Sequence, residues 1–151
     1  MRSRLLSAAL WMLGGVVLFG CAAGPSDHAG GDIPWQSDFE AARTAAIAES
    51  KPILITFYSD TCSYCRKLEK ESFSHKSTVE AAQAYIPVRI NGGEDRELAE
   101  KFQVNAFPST FVLTPEGNIY GGLPGYVDQY RFKKFLLDAK DYKAIVAKAK
   151  A

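Results

Sequence analysis

Lys51-Pro52-Ile53-Leu54-Ile55-Thr56-Phe57-Tyr58-Ser59-Asp60-Thr61-Cys62-Ser63-Tyr64-Cys65-Arg66-Lys67-Leu68-Glu69 is the stretch that decides the fold of this chain. Pro52 blocks any helix that precedes it. Ile53 to Tyr58 is rich in β-branched and aromatic side chains, the pattern of a buried central strand. Ser59-Asp60-Thr61 then leads into a helical run that starts at Cys62. A thiol at a helix start faces unpaired backbone N–H groups and the positive end of the helix dipole. Both favour the thiolate, so Cys62 is expected to be nucleophilic near neutral pH. Cys65 follows roughly one turn later on the same side, near enough to attack a mixed disulfide on Cys62 and resolve it. Cys62 is therefore read as the attacking thiol and Cys65 as the buried resolving thiol.

The spacing alone is a moderate signal, because structural zinc sites also use paired cysteines. Zinc asks for four ligands, commonly a second pair. The other candidates here are Cys21, His28 and His75. Cys21 and His28 fall in the N-terminal segment, and His75, between two serines, reads as a surface residue. A disulfide with a purely structural role is the other alternative, although so short a loop gains little from closure.

The segments around the dithiol alternate between helical and extended patterns. Ser37-x-x-Glu40 reads as a capping box for a helix from about Asp38 to Ser50, with Phe39, Ala42, Ala46 and Ile47 at helical spacing. The helix from Cys62 is expected to reach about Phe73, and Ser77-x-x-Glu80 opens another helical stretch. Ile86 to Ile90 reads as a second strand and Glu94 to Phe102 as a helix. Thr110–Thr114 and Asn118–Tyr120 form a hairpin about Pro115-Glu116-Gly117-Asn118. Asp128 caps a helix with Phe132, Phe135, Leu136 and Ala139 inward, and Tyr142, Ile145, Val146 and Ala149 mark a final one. Strand–helix–strand implies a parallel pair with a right-handed crossover, and the hairpin adds an antiparallel pair. The expectation is an α/β domain in three layers, α/β/α, with a mixed central sheet.

Composition agrees with one such domain. The chain has 151 residues, 47% hydrophobic and 23% charged, with net charge +1. It can bury a core without disulfide staples, and its three cysteines are too few for a disulfide framework. No basic field exists to attract nucleic acid. The first residues read as an address. Met1-Arg2-Ser3-Arg4 is a positive start, and Leu5 to Phe19 carries no charge. Leu18-Phe19-Gly20-Cys21 resembles a bacterial lipobox, which implies cleavage before Cys21 and a lipid on that residue. An uncleaved anchor and ordinary secretion stay open, and all three carry the domain across a membrane. By the same resemblance Ala22, rather than Asp, favours the outer membrane of a two-membrane bacterium. The reading divides the chain into a leader at 1–20, a Gly- and Asp-rich tether at 21–34 and the domain at 35–151.

Together with Val104-Asn105-Ala106-Phe107-Pro108-Ser109-Thr110, the opening stretch resembles the thioredoxin superfamily. It is most similar to the branch that holds the C-terminal periplasmic domain of the transmembrane reductant conductor DsbD and related thioredoxin-like lipoproteins. The resemblance runs from about Trp35 to Ala139 and implies a thioredoxin fold. It implies that Pro108 is a cis-proline facing the dithiol, so that the backbone of Phe107 can pair with an extended substrate segment. Thr61 stands where thioredoxins usually have Trp, leaving Tyr64 and Phe107 to supply aromatic substrate-binding surface. Thr56 stands where thioredoxins have a buried acid that relays the proton of the resolving thiol. Glu69 matches a Glu of the DsbD-like branch and becomes the candidate relay, with a solvated helix-surface Glu as the alternative reading.

The function expected is a thiol–disulfide oxidoreductase, and specifically a reductase of disulfide-bonded exported proteins. Strong oxidants place a His between the cysteines, whereas Ser63-Tyr64 carries no charge. No cofactor is expected. A DsbD-like membrane electron donor, membrane contact through the lipid on Cys21 and a monomeric state complete the expectation. The alternatives are a copper-binding thioredoxin-like metallochaperone, which would need a third ligand after His75, and a non-catalytic redox adapter.

Overall fold

In the computed structural model, residues 32–141 are described. The leader, Cys21, the tether as far as Gly31, and the helix expected about Tyr142 to Ala149 lie outside the described residues. The elements run α1 (Phe39–Glu49), β1 (Ile53–Tyr58), α2 (Ser63–Leu68), a π-helical turn (Glu69–Phe73), α3 (Lys76–Ala82), β2 (Ile86–Asn91), α4 (Arg96–Lys101), β3 (Ser109–Leu113), β4 (Ile119–Pro124) and α5 (Gln129–Ala139). The sheet order is β2-β1-β3-β4. β1 pairs parallel with β2 and antiparallel with β3, and β3 pairs antiparallel with β4. The sheet is mixed, with β1 at its centre, as its apolar run requires.

Alternation along β1 divides the core in two. Ile53, Ile55 and Phe57 face one side, where they pack with Phe39, Ala42 and Ala46 of α1 and Ala99 of α4. Leu54 faces the other, with Leu68 of α2, Phe73 of the π-helical turn, and Phe132 and Leu136 of α5. Helices thus cover both faces of the sheet. On the second face Tyr85 donates a hydrogen bond to the carbonyl of Leu136, tying the end of α3 to α5.

Several local expectations are revised. Asp38, not Ser37, caps α1, accepting from the N–H of Ala41 at 3.0 Å. Glu40 pairs with Arg43 instead of closing a capping box. Ile47 is 51% exposed, because it lies about 100° round the helix from Ala46 and leaves the narrow buried stripe. α3 starts at Lys76 behind His75, whose ring bonds the hydroxyl of Ser77, so Ser77-x-x-Glu80 is no cap. β4 extends to Pro124, beyond the expected Tyr120. Ile33, read as tether because of its Gly and Asp neighbours, is 3% exposed and belongs to the core. Close behind it, Gln36 bridges to Val88 on the β2 edge.

Candidate active site

The turn between β1 and α2 is held from several directions. The N–H of Cys62 donates to Ser59 O at 3.1 Å, and Arg66 Nη1 donates to Asp60 O at 3.0 Å. Asn91, at the end of β2, donates from its side chain to Asp60 Oδ2 at 3.0 Å and accepts from the N–H of Gly93 at 3.1 Å. This frame places Cys62 as the N-cap of α2. Its Sγ accepts from the backbone N–H of Cys65 at 3.1 Å. A side chain at that position normally satisfies one of the orphan donors with oxygen, and here sulfur does so.

Cys62 and Cys65 are joined as a disulfide, with Cα atoms 5.3 Å apart. Cys62 is half-buried, while Cys65 is buried on the face of α2 that carries Leu68. Of the two sulfur-bearing residues, Cys62 is the more accessible. Thr61 is exposed, its hydroxyl 3.2 Å from that of Ser59. Tyr64 is 60% exposed.

The Phe107–Pro108 peptide bond is cis. The carbonyl of Pro108 accepts from the N–H of Gly125 at 2.8 Å, which anchors the loop to the segment after β4. The Phe107 side chain is half-buried. It packs against the core, and its ring lies so close to Gly92 that a Cβ there would sit 2.5 Å from Cε1.

Beneath α2, on the sheet face that carries Leu54 and Val112, lies the position where an acid is usual. Thr56 and Thr110 fill it as a hydroxyl pair, Oγ1 to Oγ1 3.0 Å, 2% and 1% exposed. Each hydroxyl is satisfied by the other, so neither is left as an unpaired buried group. Thr110 was not singled out in the sequence, and only the β1–β3 register brings the two together.

Glu69 is not shielded. Its carboxylate takes two hydrogen bonds from Arg89, at 2.7 and 3.1 Å, and its side chain is 51% exposed. Arg89 in turn stacks over the ring of Tyr58 at 4.3 Å. It pairs with Thr56 in the β1–β2 register, so a basic residue of the neighbouring strand claims the carboxylate. Among the described residues, no group of three or more His, Cys, Asp or Glu side chains could hold a metal ion.

Sequence reasoning missed a second cluster beside the disulfide. Tyr126 follows Gly125 and lies with its ring centroid 6.5 Å from that of Tyr64. Its hydroxyl donates to Glu71 Oε2 at 2.6 Å, and Lys67 Nζ sits 4.6 Å from the ring centroid. Hydrogen bonding to Glu71, with its negative charge close by, holds the phenol above its ordinary range. The next residue accepts at its carbonyl from the buried hydroxyl of Ser72, at 2.8 Å. Only the aromatic character of Tyr126 was legible beforehand, because nothing local in the sequence ties it to Tyr64 or Glu71.

A family model described as a thioredoxin-like domain matches residues 39–140. The thiol:disulfide interchange protein DsbD of Ralstonia nicotianae is 31% identical over 87 residues, which cover 54% of this chain and 14% of that protein. The chain thus matches only a small part of its curated relative. The solved C-terminal domain of DsbD from Neisseria meningitidis, in oxidised form, superposes with TM-score 0.61 at 19% identity. That match covers 69% of this chain and 97% of the other. A thioredoxin from Thermus thermophilus gives TM-score 0.64 at 22% identity, covering 72% and 87%. At such identities the two structures speak for the fold.

Proposed function

The chain belongs to the thioredoxin-like domain family, and on that footing we propose that it is a thiol–disulfide oxidoreductase working as a reductase of disulfides in exported proteins. The observation that carries the reading is the pair Cys62–Cys65, capping a helix with one half-buried and one buried sulfur. The thiolate of reduced Cys62 is stabilised by the amide of Cys65 and attacks one sulfur of the partner's disulfide. That bond breaks, a Cys62–partner bond forms, and the departing partner sulfur takes up a proton. Cys65 then loses its proton and attacks Cys62, releasing the second partner thiol. Two electrons have moved to the partner, and the chain is left in the disulfide state seen here. A dithiol donor of the DsbD class would return it to the reduced form. Anchoring through a lipid on Cys21, on the periplasmic side of the outer membrane, belongs to the same proposal.

The cis peptide bond before Pro108 supports pairing of the partner's extended backbone with Phe107. Because the Glu69 carboxylate is half exposed and claimed by Arg89, the proton of Cys65 is assigned to water. Glu69→Gln is therefore expected to change turnover by less than about threefold and to leave its pH profile in place. A loss of about tenfold or more, with one limb of the profile removed, would return the relay to Glu69.

Trapping tests the main reading. Cys65→Ser cannot resolve the intermediate, so reduced protein of this variant should retain partner proteins as mixed disulfides on Cys62, released by dithiothreitol. Incubation with oxidised insulin should give the same adduct, visible by mass. Absence of both adducts, in protein shown to carry a free Cys62 thiol, would remove the reductase reading.

A further inference from the structure

Two serines at the π-helical turn use their hydroxyls differently. Ser74 donates to Lys70 O, four residues back, at 2.6 Å. That local bond is the common habit of serine in helical backbone. Ser72 donates instead to Val127 O at 2.8 Å, far along the chain, and it is 0% exposed. Removing a buried hydroxyl of this kind loses the bond and strips a partner from the acceptor.

Val127 ends a short strap. Gly125, at φ +74°, turns the chain out of β4 and donates its N–H to Pro108 O at 2.8 Å. Tyr126 donates its hydroxyl to Glu71 Oε2 at 2.6 Å. Asp128 then caps α5, accepting from the N–H groups of Tyr130 and Arg131. The front of the strap thus holds the loop of Phe107 and Pro108, and its back is held by the turn that continues the dithiol helix. Cys65 and Leu68 of α2 and Ser72 of the turn are buried in succession. Ser109 pairs with Phe57, so the Pro108 loop stands at the same end of the sheet as the turn that presents Cys62. Two side-chain bonds tie strap to turn, and that of Ser72 is the more shielded from water.

We propose that Ser72 is a positioning residue of this site: its hydroxyl, acting through residues 125–127, keeps the Phe107–Pro108 loop in register with Cys62. The inference rests on the oxidoreductase reading and adds to it a residue that acts from behind the reacting groups. A partner on extended peptide needs two things at once, its backbone beside Phe107 and its sulfur in line with Cys62. A small disulfide needs only the second. Loosening the strap therefore slows exchange with the first kind of partner and spares the second.

The test compares two oxidants of the reduced protein, insulin and hydroxyethyl disulfide. With either, Cys62 attacks one sulfur and Cys65 resolves the intermediate. The protein dithiol becomes a disulfide and the oxidant's disulfide becomes two thiols. Samples quenched in acid and alkylated give the rate by mass. Ser72→Ala is expected to slow the reaction with insulin by about three- to tenfold and to leave that with hydroxyethyl disulfide within about twofold. Amide exchange at Gly125 should quicken several-fold, and by more than at the core amides of β1, because its bond to Pro108 O opens more often. Equal slowing with both oxidants, no slowing with insulin, or unchanged exchange at Gly125 would overturn the proposal. Tyr126→Phe loosens the same strap from its exposed side and serves where Ser72→Ala does not fold. Insulin alone should slow in it, and any other pattern overturns the proposal. If the unaltered protein reacts with neither oxidant, the oxidoreductase reading has failed, and the role of Ser72 falls with it.

Discussion

Cys62→Ser is expected to lower reduction of a protein disulfide by at least about 10³-fold while leaving the fold intact. The loss follows from chemistry: a serine hydroxyl is scarcely ionised near neutral pH, and oxygen is a poor nucleophile towards a disulfide. The survival of the fold follows from position. Cys62 is the N-cap of α2, accepting from the N–H of Cys65 at 3.1 Å, and serine is among the residues that cap helices best. The disulfide that disappears closes a loop too short to constrain the unfolded chain greatly. Thermal unfolding under reducing conditions should therefore change little, and insulin reduction should stop. A variant that kept a tenth of the activity would sink the assignment of Cys62 as nucleophile.

Gly92→Ala is expected to cost about 1–3 kcal/mol of stability and to slow disulfide exchange by about tenfold. The added Cβ would lie 2.5 Å from Cε1 and 2.8 Å from Cζ of Phe107, with Ala99 Cβ at 3.5 Å. The half-buried Phe107 ring packs against the core that α1, α4 and one face of the sheet enclose, so moving it disturbs those contacts. Meanwhile the N–H of Gly92 donates to Tyr58 O at 2.9 Å, fixing the glycine to the end of β1. The strain must pass into Phe107, whose backbone leads directly into Pro108. Denaturant unfolding and exchange kinetics of Gly92→Ala, Phe107→Ala and the double variant make a thermodynamic cycle. Removing the ring should relieve most of the cost of the added methyl. If the two costs simply add, the contact is not what Gly92 is there for.

The layered fold was legible because its strongest signals are local. Ile53 to Tyr58 carries its burial in its composition, and Asp128 with Phe132, Leu136 and Ala139 carries a helix with its cap. Cys62 and Cys65 were legible for the same reason, since their geometry is one turn of helix. What escaped depends on register between distant segments. Thr110 meets Thr56 only when β1 and β3 are paired, and Arg89 reaches Glu69 only when β2 lies beside β1. Tyr126 joins Tyr64 only after β4 and its following loop have folded back. Short capping motifs misled for a related reason. Ser37 and Asp38 both satisfy the chemistry of a cap, and only the backbone decides that Asp38 does the work.

Asn91 followed by Gly92 is also the dipeptide most prone to age. In a flexible chain the glycine nitrogen attacks the asparagine side-chain carbonyl, ammonia leaves, and the ring reopens to an acid. Here that nitrogen is occupied with Tyr58 O, and both ends of the amide are held, by Asp60 and by the N–H of Gly93. Folding therefore acts as a preservative. Mass spectrometry of stored samples should show the one-dalton gain accumulating at Asn91 several-fold faster in Gly92-retaining variants that unfold readily than in the intact chain. Equal accumulation would mean that the fold gives no such protection. The acid, once made, would face Asp60 carboxylate to carboxylate where an amide had donated, and damage would loosen the very turn that presents Cys62.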